Sequence, residues 1–173
     1  LANVLGNFVN RIMKFAETKM GAVVPSEGET GPLEKELFDD VEERLARISD
    51  FHDQMEFRKA AAETRALWVR GNEYLQQAAP WTALKTDPER AAVGVRTGLN
   101  LCALFAAVAA PFIPDAAQAI RAGLGLTGAA GWPLGQDVSR LVPPGQPVAA
   151  PAVLFRKIED ADVAAWSERF GGG

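Results

Sequence analysis

The chain opens Leu1-Ala-Asn-Val-Leu-Gly-Asn-Phe-Val-Asn-Arg-Ile-Met-Lys-Phe-Ala-Glu-Thr-Lys-Met20, and the periodicity of this stretch decides the fold class. At about 100° per residue, Leu1, Val4, Leu5, Phe8, Val9, Ile12, Phe15 and Ala16 gather on one side. Asn3, Asn7, Asn10, Arg11 and Lys14 gather on the other. The pattern predicts a helix with a core stripe and an outer face unusually rich in amides. Gly21 follows as a C′ residue, and Pro25 blocks continuation.

The same period recurs downstream. Pro25 to Gly31 reads as a loop, and a second helix begins near Pro32, a residue suited to the first helical position. Its core face is Leu33, Leu37, Val41, Leu45 and Ile48, and Asp50-Phe51-His52-Asp53 reads as the stretch between helices. A third helix covers roughly Gln54 to Ala79 and is stopped by Pro80, with Pro80-Trp81 as a turn. Asp87-Pro88 supplies an N-cap and a first helical proline for a fourth helix that runs to about Ala109. Apolar nearly all round, it should be the buried central one. A fifth, short helix spans Pro114 to Gly123. From there to residue 152 glycines alternate with Pro133, Pro143, Pro144, Pro147 and Pro151, so little regular structure is expected. A short apolar run, Val153-Leu154-Phe155, precedes Asp160, the expected N-cap of a terminal helix to Phe170. The expectation is an all-α bundle of about five helices over residues 1–152. A loop-rich C-terminal tail, residues 153–173, ends in a short helix.

Composition narrows the chemistry. A length of 173 residues, 48% of them hydrophobic, suits one domain with a substantial core. A single histidine, His52, and a single cysteine, Cys102, cannot build a structural zinc site or an internal disulfide. Cys102 lies in the apolar fourth helix and reads as inert core. No glycine-rich phosphate or dinucleotide motif is present. Asp39-Asp40 and Glu42-Glu43 are neighbours on an acidic, solvated helix rather than pairs facing across a cleft. No catalytic residue, metal or cofactor site is therefore expected in this chain. The most apolar stretch, Leu99 to Ile113, is interrupted by Asn100 and Pro111 and falls short of the ~20 residues that span a bilayer. A cytoplasmic setting with no membrane partner is the expectation. Leu1 starts inside an amphipathic pattern with no cap before it, so the chain is expected to be a piece of a longer one.

The net charge of −4 is unevenly spread. Residues 1–24 carry +2, residues 25–56 carry −8, residues 57–121 carry +3 and the remainder −1. The overall acidity argues against indiscriminate polyanion binding, yet the first and third helices stay mildly basic.

Two features exceed structural need. Asn3, Asn7 and Arg11, spaced by four, stack on one helix face. Their amides and guanidinium suit base edges and phosphates, or an ordinary solvated face. In Asn72-Glu-Tyr74-Leu-Gln-Gln-Ala-Ala79-Pro80-Trp81 a proline stops a helix and presents a tryptophan, either a core plug or a platform for an unstacked base.

Taken together, Leu1 to Arg11, Gly71-Asn-Glu-Tyr74 with Ala79-Pro-Trp81, and Leu154-Phe-Arg-Lys-Ile-Glu-Asp160 resemble, in the same order, segments of the C-terminal half of methionyl-tRNA synthetases. The likeness spans essentially the whole chain and is weakest in the loops at 25–31 and 123–152. It implies a helical domain that binds the CAU anticodon loop of methionine tRNA, with no DNA partner. By this resemblance Asn7 and Arg11 read the first anticodon base, cytosine, and Trp81 stacks on an anticodon base. Asn3, Asn10, Lys14, Asn72 and Tyr74 are further candidates, of which Asn72 and Tyr74 could instead brace helices. The catalytic domain of that family, with its ATP site and any zinc knuckle, has no counterpart among these residues. The tail from Val153 is expected to pack back toward it. Two other readings stand beside this one: the equivalent domain of a valine, isoleucine or leucine enzyme, and a helical adaptor that uses the acidic helix 32–50.

Overall fold

The computed structural model describes residues 1–128, 131–156 and 158–171; Lys157 of the quoted Leu154–Asp160 segment, and Gly172 and Gly173, lie outside them. After a π-helical turn, Ala2–Gly6, the helices are α1 (Asn7–Lys19), α2 (Pro32–Asp53), α3 (Phe57–Ala78), α4 (Pro80–Ala83), α5 (Pro88–Ala109), α6 (Pro114–Gly123) and α7 (Asp160–Phe170). A 3₁₀ turn, Val138–Arg140, interrupts the long connection before α7. The all-α bundle with a loop-rich tail is thus as the hydrophobic pattern predicts.

α5 is the axis of the molecule. It buries residues on every side, including Val95, Leu99, Leu101, Leu104 and Phe105, and packs against α1, α3, α4 and α6. By length and composition α5 could cross a membrane, because its apolar character begins well before Leu99; 94% of its most apolar window is buried in the bundle, as in a core helix. Two glycines let neighbours approach closely. A Cβ on Gly98 would stand 2.6 Å from Ile12 Cγ1, and one on Gly71 of α3 would stand 2.6 Å from Phe105 Cζ. Phe8 and Phe105 meet beside Gly71 with ring centroids 4.9 Å apart. These contacts fix α1 in the groove between α3 and α5.

Helix ends follow their caps. Asp87 Oδ1 accepts from the N–H of Arg90 at 3.0 Å to start α5. Glu34 reaches back to the N–H of Gly31 at 2.9 Å to start α2, and then does more. Its fully enclosed carboxylate also accepts from both terminal nitrogens of Arg90 (2.8 and 2.7 Å) and from the Tyr74 hydroxyl (2.7 Å). Burial alone would push the Glu34 carboxyl up, but these donors together hold it below the usual range. One carboxylate thereby ties α2, α3 and α5 together. Cys102 is buried in α5, and burial pushes its thiol up, so it is an inert core residue.

Several expectations are corrected. The first turn is π-helical, with the N–H of Gly6 bonded to the carbonyl of Leu1. At that widened turn Asn72 of α3 donates Nδ2 to the carbonyl of Val4 (3.2 Å), a long-range bond that no local pattern reveals. α2 continues through Asp53, so His52 sits in its last turn rather than between helices, and α3 starts at Phe57. The His52 ring is surrounded by Trp132, Phe112 and Phe57, with centroids 5.5, 5.6 and 6.0 Å away. The Pro80-Trp81 turn is a one-turn helix, α4. Nor is the acidic helix simply solvated. Arg70 of α3 pairs with Glu36 and Asp40, and Arg44 and Arg47 reach Glu63, so α2 and α3 neutralise each other along their seam.

The glycine- and proline-rich segment is irregular but anchored. Val23 and Pro147 form an antiparallel bridge, flanked by bonds from Val24 N–H to Gln146 O (2.9 Å) and from Val148 N–H to Ala22 O (2.8 Å). Asn100, buried inside apolar α5, accepts from the N–H of Val142 at 2.8 Å and donates to the carbonyl of Arg96 at 2.9 Å. Trp132 donates Nε1 to Ser49 Oγ at 2.6 Å. α7 lies beyond this anchored part and buries none of its residues; Val163, Trp166 and Phe170 are exposed.

Candidate nucleic-acid interface

The outer face of α1 meets two different neighbours. On the α3–α4 side, the Arg11 guanidinium lies 4.3 Å from the centroid of the Trp81 ring. This is cation–π distance. Both side chains are half-buried, and Trp81 rests on the core beneath. Among the described residues Arg11 has no hydrogen-bond or carboxylate partner, so its N–H groups are free. Asn7, one turn earlier, is exposed.

Trp81 is held by an unusual corner. Ala79 is both the C-cap of α3 and the N-cap of α4, with φ +38° and ψ 56°. A left-handed alanine costs about 1–2 kcal/mol, so surrounding contacts must hold the corner in place. Pro80 does so by seating on α5, where a Cβ added to Gly94 would stand 3.3 Å from Pro80 Cβ. Trp81 packs against the core and its ring meets the Arg11 guanidinium, both within one half-buried side chain.

On its other side α1 meets the tail. Asn3, Gly6, Asn7 and Asn10 line a groove of about 440 Å³ whose far wall is Pro151 to Phe155. The straight Asn3–Asn7–Arg11 line predicted from spacing is thus divided, with the asparagines on the groove and Arg11 turned to Trp81. Lys14 is engaged by Glu17 at 2.6 Å, a bond that holds the Glu17 carboxyl below its usual range. Asn72 spends its Nδ2 on the carbonyls of Val4 and Trp68. Tyr74 is 0% exposed with its hydroxyl on Glu34. Tyr74 is thereby enclosed, and Asn72, half-buried, braces α3 against the first turn. Among the described residues no cluster of three or more potential metal ligands occurs. The sequence reading missed the tail wall. Its signal was the apolar run Val153–Phe155, but nothing local tells which helix that run will meet.

Comparison with known proteins gives a consistent set of relatives. Residues 24–173 match the family model described as the anticodon binding domain of methionyl tRNA ligase. The chain is 57% identical over 174 residues to a methionine–tRNA ligase of Caulobacter vibrioides (strain NA1000 / CB15N), covering 99% of this chain and 31% of that protein. It is 48% identical over 180 residues to that of Hyphomonas neptunium, covering 100% of this chain and again 31% of the relative. Among solved structures, the apo form of Mycobacterium tuberculosis methionyl-tRNA synthetase superposes with a TM-score of 0.82 at 20% identity, over 92% of this chain and 32% of that one. The same enzyme in complex with methionyl-adenylate also gives 0.82, at 21% identity, over 91% of this chain and 31% of that one. The chain therefore spans less than a third of the length of the curated relatives it matches.

Proposed function

Because the chain belongs to the anticodon-binding domains of methionyl-tRNA ligases, we propose that it reads the CAU anticodon loop of methionine tRNA, positioning that tRNA for aminoacylation elsewhere in a longer cytoplasmic ligase. The observation that carries this reading is the Arg11–Trp81 contact, which brings together two elements seventy residues apart and sets a half-buried indole beside a guanidinium with no other partner among the described residues. RNA loops are recognised by unstacking bases, resting them on aromatic or guanidinium planes and bonding their edges. Cytosine offers O2 and N3 as acceptors and its N4 amine as donor. The free N–H groups of Arg11 suit the acceptors, and the Asn7 carbonyl suits N4. Lys14 contributes little charge while Glu17 holds it.

On this reading ATP, any zinc and the methionine-activating residues belong to the remainder of the ligase. The exposed apolar tail, with Val153, Ile158 and Trp166 open to solvent, suits contact with that catalytic part. A valine-, isoleucine- or leucine-type domain finds no support among the matches, which are of the methionine type. An adaptor using α2 is disfavoured because Arg70 of α3 already pairs with Glu36 and Asp40 of that helix.

The test is binding of a fluorescent CAU stem-loop to the chain. Loss of one base-stacking contact is worth ~1–3 kcal/mol, so Trp81→Ala should weaken binding roughly 5- to 150-fold. Arg11→Gln should weaken it and abolish preference for cytosine at the first anticodon position. In the longer ligase both should slow tRNA charging and leave methionine activation unchanged. Wild-type binding and charging by both variants would remove the assignment.

A further inference from the structure

A groove at the far end of α1 is walled by three separate elements. Met20 ends α1 and Val24 follows it, Leu84 ends α4, and Pro88 and Ala92 belong to the first turns of α5. The space is about 400 Å³, within the ~300–1,000 Å³ of ligand sites. It is held open by fixed contacts. Arg96 donates to the carbonyls of Pro25 (3.3 Å), Glu27 (2.8 Å) and Gly28 (2.7 Å). Gly28 lies so close to α5 that a Cβ there would stand 2.7 Å from the Glu89 carbonyl oxygen.

Two features of the lining select what enters. The first is main chain. In the antiparallel bridge of Val23 with Pro147, the hydrogen bonds are made by the flanking residues Ala22 and Val24, so the N–H and C=O of Val23 point away from Pro147. Among the described residues neither group is hydrogen-bonded. Val23 lines the groove, and an extended residue with both groups free is an edge to which another strand can add. The second is charge. Glu27 and Glu89 also line the groove, and both are exposed. The Glu27 carboxylate accepts from the N–H of neighbouring Ser26 (3.0 Å), but among the described residues neither carboxylate has a cation partner. No basic side chain belongs to the lining. A phosphate would be repelled here, and a cation on an apolar stem would be held.

We propose that this groove docks an extended peptide segment of a partner protein, one in which lysine or arginine flanks apolar residues. The segment pairs with Val23 as a short added strand. Its apolar side chains rest on Met20, Leu84 and Pro88, and its cations meet Glu27 and Glu89. The surface uses none of Asn7, Arg11 and Trp81, so it is separate from the anticodon reading.

The experiment uses the 173-residue chain with ¹³C-methyl methionine. Its three methyls report on three places: Met20 in the groove, Met13 in the core and Met55 exposed between α2 and α3. The probe is the peptide acetyl-RVTVK-amide. The Met20 methyl should shift saturably, with half-saturation on the order of 1 mM or tighter, while Met13 and Met55 stay still. Replacing both basic residues of the peptide by glutamine should weaken binding roughly 2- to 30-fold, the range for two exposed ion pairs. Glu27→Gln/Glu89→Gln should weaken the parent peptide to the same extent and leave the glutamine peptide unaffected, and thermal melts monitor its folding. N-methylation of the three central peptide residues should weaken binding roughly 2- to 12-fold, the range for one hydrogen bond. A Met20 methyl unmoved at several times that concentration, or three methyls moving together, overturns the proposal. So does parent-like binding by the glutamine peptide, the N-methylated peptide or the double variant.

Discussion

Replacing Glu34 by glutamine probes the bond that fixes the bundle's geometry. The carboxylate is 0% exposed and accepts four hydrogen bonds, two from Arg90, one from Tyr74 and one from the N–H of Gly31. Glutamine keeps the volume but removes the charge and turns one oxygen into an amine. That amine must face Arg90 together with either the Tyr74 hydroxyl at Oε1 or the Gly31 N–H at Oε2, and of these only the hydroxyl can turn to accept from it. Removing one partner of a buried ion pair costs about 3–5 kcal/mol. The Arg90 side chain is 30% exposed, so it regains part of its hydration, and about 3 kcal/mol is the appropriate end of that range. With a urea m-value of about 2 kcal/mol/M, the midpoint should fall by about 1.5 M without change in slope. A double-mutant cycle separates the pair from the cavity. Arg90→Met alone should also destabilise strongly, because it strands the buried carboxylate, while Glu34→Gln/Arg90→Met should fall well short of the sum of the two. Coupling of ~2 kcal/mol or more is expected. A midpoint shift under roughly 0.3 M, or coupling under about 0.5 kcal/mol, would refute the reasoning.

Two further predictions concern the same core. Glu34 is held below its ordinary range in the folded chain, so its contribution is full above the unfolded carboxyl value and is lost as pH falls through the lower folded one. The difference in urea midpoint between wild type and Glu34→Gln should be constant from about pH 7 to pH 5 and narrow progressively below about pH 4; a difference that widens with acidification contradicts the shift. Gly98→Ala places a methyl 2.6 Å from Ile12 Cγ1, so it should destabilise by about 1–3 kcal/mol, and Ile12→Ala in the same chain should recover part of that loss; simple addition of the two effects in urea melts contradicts the packing.

Elements with local signals could be read from the sequence. α5 announced itself by being apolar all round and by the Asp87-Pro88 start, and the core positions Leu37, Val41, Leu45 and Ile48 of α2 came from spacing alone. What stayed hidden depended on partners far along the chain. Asn72 bonds to the π turn across 68 residues, and the Glu34–Arg90 pair spans 56. His52 was misplaced because a polar Asp50–Asp53 stretch resembles a loop, whereas the aromatic rings around it carry α2 one turn further. For the candidate site, periodicity places Asn7 and Arg11 on one helix face and Pro80 sets Trp81 at a helix end, but nothing local shows that Arg11 and Trp81 meet. Periodicity places residues on one helix and says nothing of which outside chain will lie along it, so the tail that walls the amide groove could not be foreseen.

The corner at Ala79 has a mechanical meaning. One residue closes α3 and opens α4, so no flexible linker separates the 22-residue rod of α3 from the Trp81 ring. At about 1.5 Å per residue that rod is roughly 33 Å long. A displacement of α3, even one imposed at its far end near Phe57, would therefore bear directly on the ring, with the seat of Pro80 on α5 left to resist it.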